Sequence, residues 1–161
     1  MIPFDLTQIR ALAFDVDGVL SANNVFLLGG QPVRTANIKD GYALQHAAKT
    51  DLHLAIITGG KNEAVRERYM NLGIADVFMG VGRKIDVFED WLLKHQLSAD
   101  QVLYMGDDVP DYEVMGLCVL VVPPMPHPKF KKSPATSPTK REAKVAYAMW
   151  WNRCCAPKGS G

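Results

Sequence analysis

Apolar and polar positions alternate along residues 9–117 in a way that predicts an α/β fold. Four short runs are apolar with little polar interruption, as buried parallel strands are: residues 9–16, 52–57, 76–80 and 101–105. The segments between and after them are predicted helices, either because apolar residues recur at helical spacing or because they contain residues typical of helix ends: residues 40–50, 61–72, 84–96 and 110–117. This order predicts a parallel sheet with right-handed crossovers.

One interval departs from the alternation. Residues 25–28 and 32–36 flank Gly29-Gly30, and two short runs around a glycine pair predict a β-hairpin. The hairpin takes up much of the interval of about 40 residues between Asp17 and Thr58. We therefore expect no cap domain there.

The pattern ends near residue 121, which suggests two regions: a folded domain over residues 1–121 and an atypical tail over residues 122–161. The tail is rich in proline and lysine and has no apolar periodicity. Such a composition predicts poorly ordered chain.

Composition narrows the function classes. The chain has 161 residues, a net charge of +1 and 48% hydrophobic residues, as expected of one globular domain. The charge does not indicate a nucleic-acid-binding surface, and the longest apolar stretch, residues 117–125, is too short to cross a bilayer. The three cysteines form no disulfide framework or CxxC metal spacing. Without a signal-peptide pattern, we expect a cytoplasmic protein that binds neither nucleic acid nor membrane.

Two acids at the end of the first apolar run are the strongest chemical signal. Asp15 and Asp17 are two residues apart, so in a strand they would project to the same side. Ligands bind at the carboxyl ends of strands in open α/β sheets. Two adjacent carboxylates need a cation or a shared proton, so the pair predicts a metal site or an acid/base site.

Three further features follow predicted strand ends or open a helix, and each alone is a weak signal. Thr58 precedes Gly59-Gly60, Lys84 opens a predicted helix, and Asp107-Asp108 follow a later strand. Carboxylates suit Mg²⁺, while a hydroxyl, glycine N–H groups and an ammonium suit phosphate oxygens. Together these residues predict a phosphoryl-transfer site in which an aspartate attacks phosphorus.

These segments resemble the haloacid dehalogenase (HAD) superfamily of phosphohydrolases, and most closely its capless 3-deoxy-D-manno-octulosonate 8-phosphate (KDO 8-phosphate) phosphatases. The resemblance covers about residues 8–117 and rests on these runs: Asp15-Val-Asp-Gly-Val-Leu20, Asn37-Ile-Lys-Asp-Gly-Tyr-Ala-Leu44, Ile57-Thr-Gly-Gly60, Glu63-Ala-Val-Arg66, Lys84 and Tyr104-Met-Gly-Asp-Asp-Val-Pro-Asp-Tyr-Glu-Val-Met115. It implies a Rossmann-like three-layer sandwich around a parallel sheet, with a protruding hairpin and no cap domain.

The resemblance also implies a role for each motif residue. Asp15 is then the nucleophile, and Asp17 is the general acid and then the base. Mg²⁺ is held by Asp15, the Asp17 backbone carbonyl and Asp107. The phosphate is then bound by Thr58, Gly59 and Lys84. The metal shell is supported by Asp108 and Asp111.

Substrate and assembly are also implied by the family. The expected reaction converts KDO 8-phosphate to KDO and phosphate in lipopolysaccharide precursor synthesis. Relatives that act on nine-carbon sugar acids carry an acidic residue where this chain has Gly60, which favours the eight-carbon substrate. Arg66 and Arg68 are candidates for the sugar carboxylate, although a solvated helix face also explains them. The family's homotetramer, in which a neighbouring subunit covers the site, is the expected assembly.

Three alternatives stay open. One is a phosphatase for nine-carbon, sialic-acid-type 9-phosphates. Another, from a different class, is a receiver-like phospho-acceptor module, which also combines acids, a threonine and a lysine on a parallel sheet. Receivers have their acidic pair first and the acceptor in mid-chain, and this chain has a different order. The last is an inactive truncated homologue.

The tail departs from the family's acidic, glycine-rich ending, and reverse translation suggests a reason. The codons of Met149-Trp-Trp-Asn152, shifted by two bases, encode Val-Val-Glu. With permissive codons the shifted tail also reads ADAPSEIQEVASYVSDKEGGKG, which resembles the family's ending. We therefore interpret residues 122–161 as the product of a frameshift near residues 117–121.

Overall fold

The computed structural model describes residues 6–121, in which a parallel sheet is packed between helices. Its strands are β1 (Ala11–Phe14), β2 (Phe26–Leu28), β3 (Gln31–Val33), β4 (His53–Ile57), β5 (Asp76–Phe78), β6 (Val102–Met105) and β7 (Val119–Val121). Its α-helices are α1 (Ile38–Ala47), α2 (Glu63–Asn71), α3 (Lys84–His95) and α4 (Tyr112–Met115). The tail predicted for residues 122–161 lies outside the described residues.

The main sheet has the order β5-β4-β1-β6-β7, and all of its pairings are parallel. β1 is central, and its last residue, Phe14, is in register with Ile56 of β4 and Met105 of β6. The carboxyl ends of these three strands therefore lie level. The α/β class and the parallel sheet predicted from the sequence are confirmed.

Two cores, one on each face of the sheet, make the fold a three-layer sandwich. Because side chains alternate along a strand, Leu12 and Phe14 of β1 pack on the side of α1 and α2. Ala11 and Ala13 face the other side, where their small side chains leave room for the rings of Phe88 and Trp91 in α3.

β2 and β3 form a separate antiparallel hairpin, which confirms the predicted one. Its second strand ends at Val33 rather than residue 36. The interval between Asp17 and Thr58 is filled by this hairpin, α1 and β4. In the described chain the interval therefore contains no cap domain, as expected.

Two boundaries differ from the sequence expectation. β1 ends at Phe14, so Asp15 and Asp17 follow the strand instead of lying within it. The helix expected over residues 110–117 is a 3-10 turn, Val109–Asp111, followed by α4. β7, which comes from the apolar stretch after residue 117, is a strand that the pattern did not assign.

Candidate active site

A cavity of about 740 Å³ opens at the level carboxyl ends of the strands. The acid pair, the Thr-Gly-Gly turn, the lysine and the Asp-Asp pair that the sequence predicted all contribute to its lining: Asp15, Asp17, Asn23, Arg34, Thr58, Gly59, Gly60, Val81, Gly82, Lys84, Asp107, Asp108 and Pro110. This is the sheet edge at which the sequence predicted a ligand site.

Lys84 connects the two deepest acids of the site. Its Nζ lies 2.9 Å from Asp15 Oδ1 and 2.7 Å from Asp111 Oδ1. Lys84 is 4% exposed and Asp111 is fully buried. Lys84 begins α3, as the sequence predicted, and this position lets the first turn of the helix reach across to β1 and to the loop after β6.

Asp111 is held from three sides. Besides Lys84, the hydroxyl of Tyr104 donates to its Oδ1 at 2.6 Å, and the backbone N–H of Asp108 donates to its Oδ2 at 3.3 Å. Burial and the nearby Asp111 carboxylate raise the pKa of Tyr104, so the phenol stays protonated and acts as a donor. Asp111 thus orients Lys84 toward Asp15.

The Asp15 carboxylate is buried between a cation and another acid. Its Oδ1 accepts from Lys84 and, at 2.6 Å, from the backbone N–H of Val16. Burial raises its pKa to about 6, although Lys84 acts in the opposite direction. Burial and the charges of Asp111 and Asp108 also raise the pKa of Asp107. The acids outweigh the positive charge of the side chains, so the site favours an added cation.

Carboxylate oxygens of Asp15, Asp107 and Asp111 lie within 4.8 Å of one another, which is a spacing that a metal ion can bridge. All three offer hard oxygen ligands, which suit Mg²⁺. The residues present therefore fit the predicted metal.

Asp17 has a different partner from Asp15, although both line the cavity. Arg34 Nε lies 2.5 Å from Asp17 Oδ1, and Arg34 Nη2 lies 2.9 Å from Oδ2. The two acids of the opening motif are thus each paired with their own cation. The sequence pattern does not point to Arg34, because nothing within residues 32–36 shows which residue faces a motif 17 positions earlier.

Glycines make room for the acids. Gly18 has φ +83°, and a Cβ there would lie 1.8 Å from Asp107 Oδ2. A side chain at this position would thus both strain the backbone and displace Asp107. A Cβ at Gly106 would likewise lie 2.4 Å from Asp111 Cγ.

Thr58 lies at the end of β4 and is 2% exposed. Its Oγ1 accepts from the backbone N–H of Gly60 at 3.1 Å, which shapes the turn through Gly59. Thr58 and the two glycines therefore line the same cavity as Asp15.

Two predicted substrate residues are not among those that line the cavity. Arg66 forms an ion pair with Glu63 and donates to the Val77 carbonyl. Arg68 donates to the Asn37 carbonyl. Both arginines lie on α2, and their contacts tie it to neighbouring segments.

The described residues contain no helix with the length and apolar character that a membrane span requires.

The comparisons with known proteins agree with the resemblance inferred from the motifs. No protein-family model matches the chain. The chain is 39% identical over 118 residues to the Escherichia coli K12 3-deoxy-D-manno-octulosonate 8-phosphate phosphatase KdsC, an alignment covering 71% of the chain. It covers 63% of that relative, so the chain spans less than two thirds of the curated relatives that it matches.

Solved structures give the same result. The Yersinia pestis 3-deoxy-D-manno-octulosonate 8-phosphate phosphatase matches with a TM-score of 0.80 and 26% identity, covering 96% of this chain and 86% of that one. The enzyme of the same name from Moraxella catarrhalis, solved with magnesium, phosphate and KDO, matches with a TM-score of 0.67 and 29% identity, covering 71% and 66%. With the site motifs on the same parallel sheet, these matches show that the chain belongs to the 3-deoxy-D-manno-octulosonate 8-phosphate phosphatase family of the HAD superfamily.

Proposed function

We propose that this chain is a Mg²⁺-dependent phosphatase that hydrolyses KDO 8-phosphate to KDO and phosphate. The observation that carries the proposal is the Lys84 contact with Asp15, 2.9 Å long, beside the carboxylate cluster at the sheet edge. It puts a buried cation next to the predicted nucleophile at the point where a phosphoryl group would enter. The Moraxella relative that contains magnesium, phosphate and KDO supports the same substrate class.

The metal ligands that we propose are Asp15, the Asp17 backbone carbonyl and Asp107, with Asp108 and Asp111 in support. The oxygens of Asp111 already accept from Lys84, Tyr104 and Asp108, which favours a supporting role over direct ligation. Bound Mg²⁺ would neutralise charge on the phosphoryl oxygens and on the acids around them.

The first half-reaction would use Asp15 and Asp17. Both described hydrogen bonds to the Asp15 carboxylate fall on Oδ1, so we assign the attack on phosphorus to Oδ2. The bond to the sugar oxygen breaks as the aspartyl-phosphate forms, and Asp17 donates a proton to that leaving oxygen. Thr58, the Gly59 backbone and Lys84 would bind the transferring phosphoryl oxygens.

The second half-reaction would restore the enzyme. Asp17, now ionised, takes a proton from a water molecule, and the resulting hydroxide attacks the phosphorus of the aspartyl-phosphate. The Asp15–phosphorus bond breaks, which releases inorganic phosphate and the Asp15 carboxylate. A receiver-like acceptor would have no need for an acid at this place, so Asp17 favours a hydrolase.

Phosphate release tests the proposal. KDO 8-phosphate and a nine-carbon sugar-acid 9-phosphate would each be incubated with Mg²⁺ or with EDTA. The chains compared are the wild type, Asp15→Asn and the control Asp51→Asn, whose carboxylate is exposed outside the cavity. We expect Mg²⁺-dependent release, faster from the eight-carbon substrate, and a loss of at least about 10³-fold in Asp15→Asn only. Release in EDTA, or an active Asp15→Asn, would contradict the mechanism.

We also propose that copies of the chain associate through the hairpin into the homotetramer expected from the family. The three residues of β2 have apolar side chains that are 61–80% exposed: Phe26, Leu27 and Leu28. A capless site needs another element to limit access of water, and a neighbouring copy would provide it.

Three expectations stay predictions beside this function. The cytoplasmic location and the role in lipopolysaccharide precursor synthesis follow from the family. The frameshift interpretation of residues 122–161 is tested by the nucleotide sequence, in which a single-base change near residues 117–121 must open the acidic, glycine-rich frame. Without such a frame, the interpretation is wrong.

A further inference from the structure

Arg34 is a cation of the cavity for which phosphoryl transfer has no evident use. Among the described residues that line the cavity, the positive side chains are Lys84 and Arg34. Lys84 is bound to Asp15 and Asp111. Arg34 lies apart from them, bound to Asp17, with 13% of its side chain exposed.

The guanidinium of Arg34 uses only one of its edges for that contact. Nε and Nη2 donate to the two oxygens of Asp17. A guanidinium has five N–H donors in a fixed planar fork, and the opposite edge, formed by Nη1 and the second hydrogen of Nη2, donates to no acceptor in the described part of the chain. This edge has the geometry that binds a second carboxylate with two parallel hydrogen bonds.

Gly60 leaves the space that this arrangement needs. A Cβ at position 60 would lie 3.2 Å from Arg34 Nη2 and 3.4 Å from Cζ. A side chain there would push against the guanidinium, whereas glycine lets it lie between Asp17 and the turn after β4.

The charge of the substrate explains why Arg34 would bind a carboxylate besides that of Asp17. If the proposed function holds, the substrate carries a phosphate and a carboxylate. The metal ligands, Thr58 and Lys84 account for the phosphate, but a carboxylate entering a cavity lined by Asp17, Asp107 and Asp108 is repelled unless a cation meets it. We propose that the open edge of Arg34 binds the substrate's carboxylate while the other edge holds Asp17, so that Arg34 selects sugar-acid phosphates over neutral sugar phosphates.

The test compares two substrates that differ only in this charge: KDO 8-phosphate and its C1 amide. The chains are the wild type, Arg34→Gln, Arg34→Lys and the control Arg10→Gln, which changes an arginine that precedes β1 and binds the Thr7 carbonyl. We expect Arg34→Gln to lower kcat/KM for the acid about 10- to 100-fold more than for the amide, mainly through KM. Arg34→Lys keeps the charge without the fork, so it restores the preference in part, and Gly60→Ala weakens it by crowding the guanidinium.

Equal losses on both substrates would overturn the inference, because Arg34 would then act only through Asp17. A wild type that hydrolyses acid and amide equally well would overturn it too, and would leave the phosphatase chemistry standing. If the wild type hydrolyses neither, the proposed function fails. Calorimetric binding of KDO and of its C1 amide, with Mg²⁺ and phosphate present, then decides the inference. Tighter binding of the acid that is lost in Arg34→Gln supports it, and equal binding overturns it.

Discussion

Lys84 Nζ lies 2.7 Å from Asp111 Oδ1, and this buried contact ties the first turn of α3 to the loop that follows β6. Lys84 also reaches Asp15, so a single ammonium group sits between two buried carboxylates. Buried ion pairs gain little over apolar packing, but removal of one partner leaves the other charge uncompensated. The contact therefore links the stability of the fold to the integrity of the site.

Lys84→Met is expected to lower both stability and activity. Two buried carboxylates would lose their cation, which costs about 3–5 kcal/mol in the free energy of unfolding, measured by urea denaturation. Phosphate release from KDO 8-phosphate would also fall, since the charge beside Asp15 is gone. Lys49→Met changes an exposed lysine after α1 and serves as the control. Wild-type stability in Lys84→Met would show that the contact does not contribute to the free energy of unfolding.

Magnesium is expected to stabilise the folded chain through Asp107. A ligand at 100 times its Kd adds about 2.7 kcal/mol to the free energy of unfolding, so Tm should be higher in Mg²⁺ than in EDTA. Asp107→Asn removes one of the clustered carboxylates and should abolish most of this increase, while Asp51→Asn should leave it unchanged. The assignment of the metal site fails if Asp107→Asn responds to Mg²⁺ as the wild type does.

Local patterns were sufficient to predict four of the five strands of the main sheet and several residues that line the cavity, because these features depend on short stretches of sequence. Asp15, Thr58, Lys84 and Asp107 follow strand ends or open a helix, and level parallel strands bring such positions together. Arg34 could not be found in this way, since its contact with Asp17 depends on how the segment after β3 packs against the segment after β1. The same limit applies to Arg66, which tertiary packing keeps out of the cavity lining by its contacts with Val77 and Glu63.

Asp76, which does not line the cavity, is expected to make the stability of the fold sensitive to acid. Burial alone would raise its pKa, but hydrogen bonds from Lys94, Trp91 and His95 bring the pKa below the usual value. A lowered pKa in the folded state means that the stabilisation is complete above the unfolded value near 4 and is lost as pH falls through the folded value.

The variant Asp76→Asn tests this expectation. It should cost about 1–3 kcal/mol at pH 7, because the side chains of Trp91, Lys94 and His95 lose an ionised acceptor. The difference from wild type should shrink as pH falls below about 4, measured by urea denaturation across an acidic pH range. Asp100→Asn, at a surface 3-10 turn, is the matched control. A difference that stays constant over this range would contradict the assignment.

The apolar hairpin is expected to determine the oligomeric state. Leu27 is 80% exposed at the middle of β2, and burial of such a side chain between copies contributes about 1.5–3 kcal/mol. Leu27→Lys should therefore shift the mass measured by light scattering from a tetramer toward a monomer. It should also lower kcat/KM, since the neighbouring copy would no longer cover the cavity. Leu93→Lys changes a leucine that is 77% exposed on α3 and serves as the matched control. If both variants keep the mass of the wild type, or if the wild type is itself a monomer, the hairpin is not the interface, and the site is closed by another element or works while open.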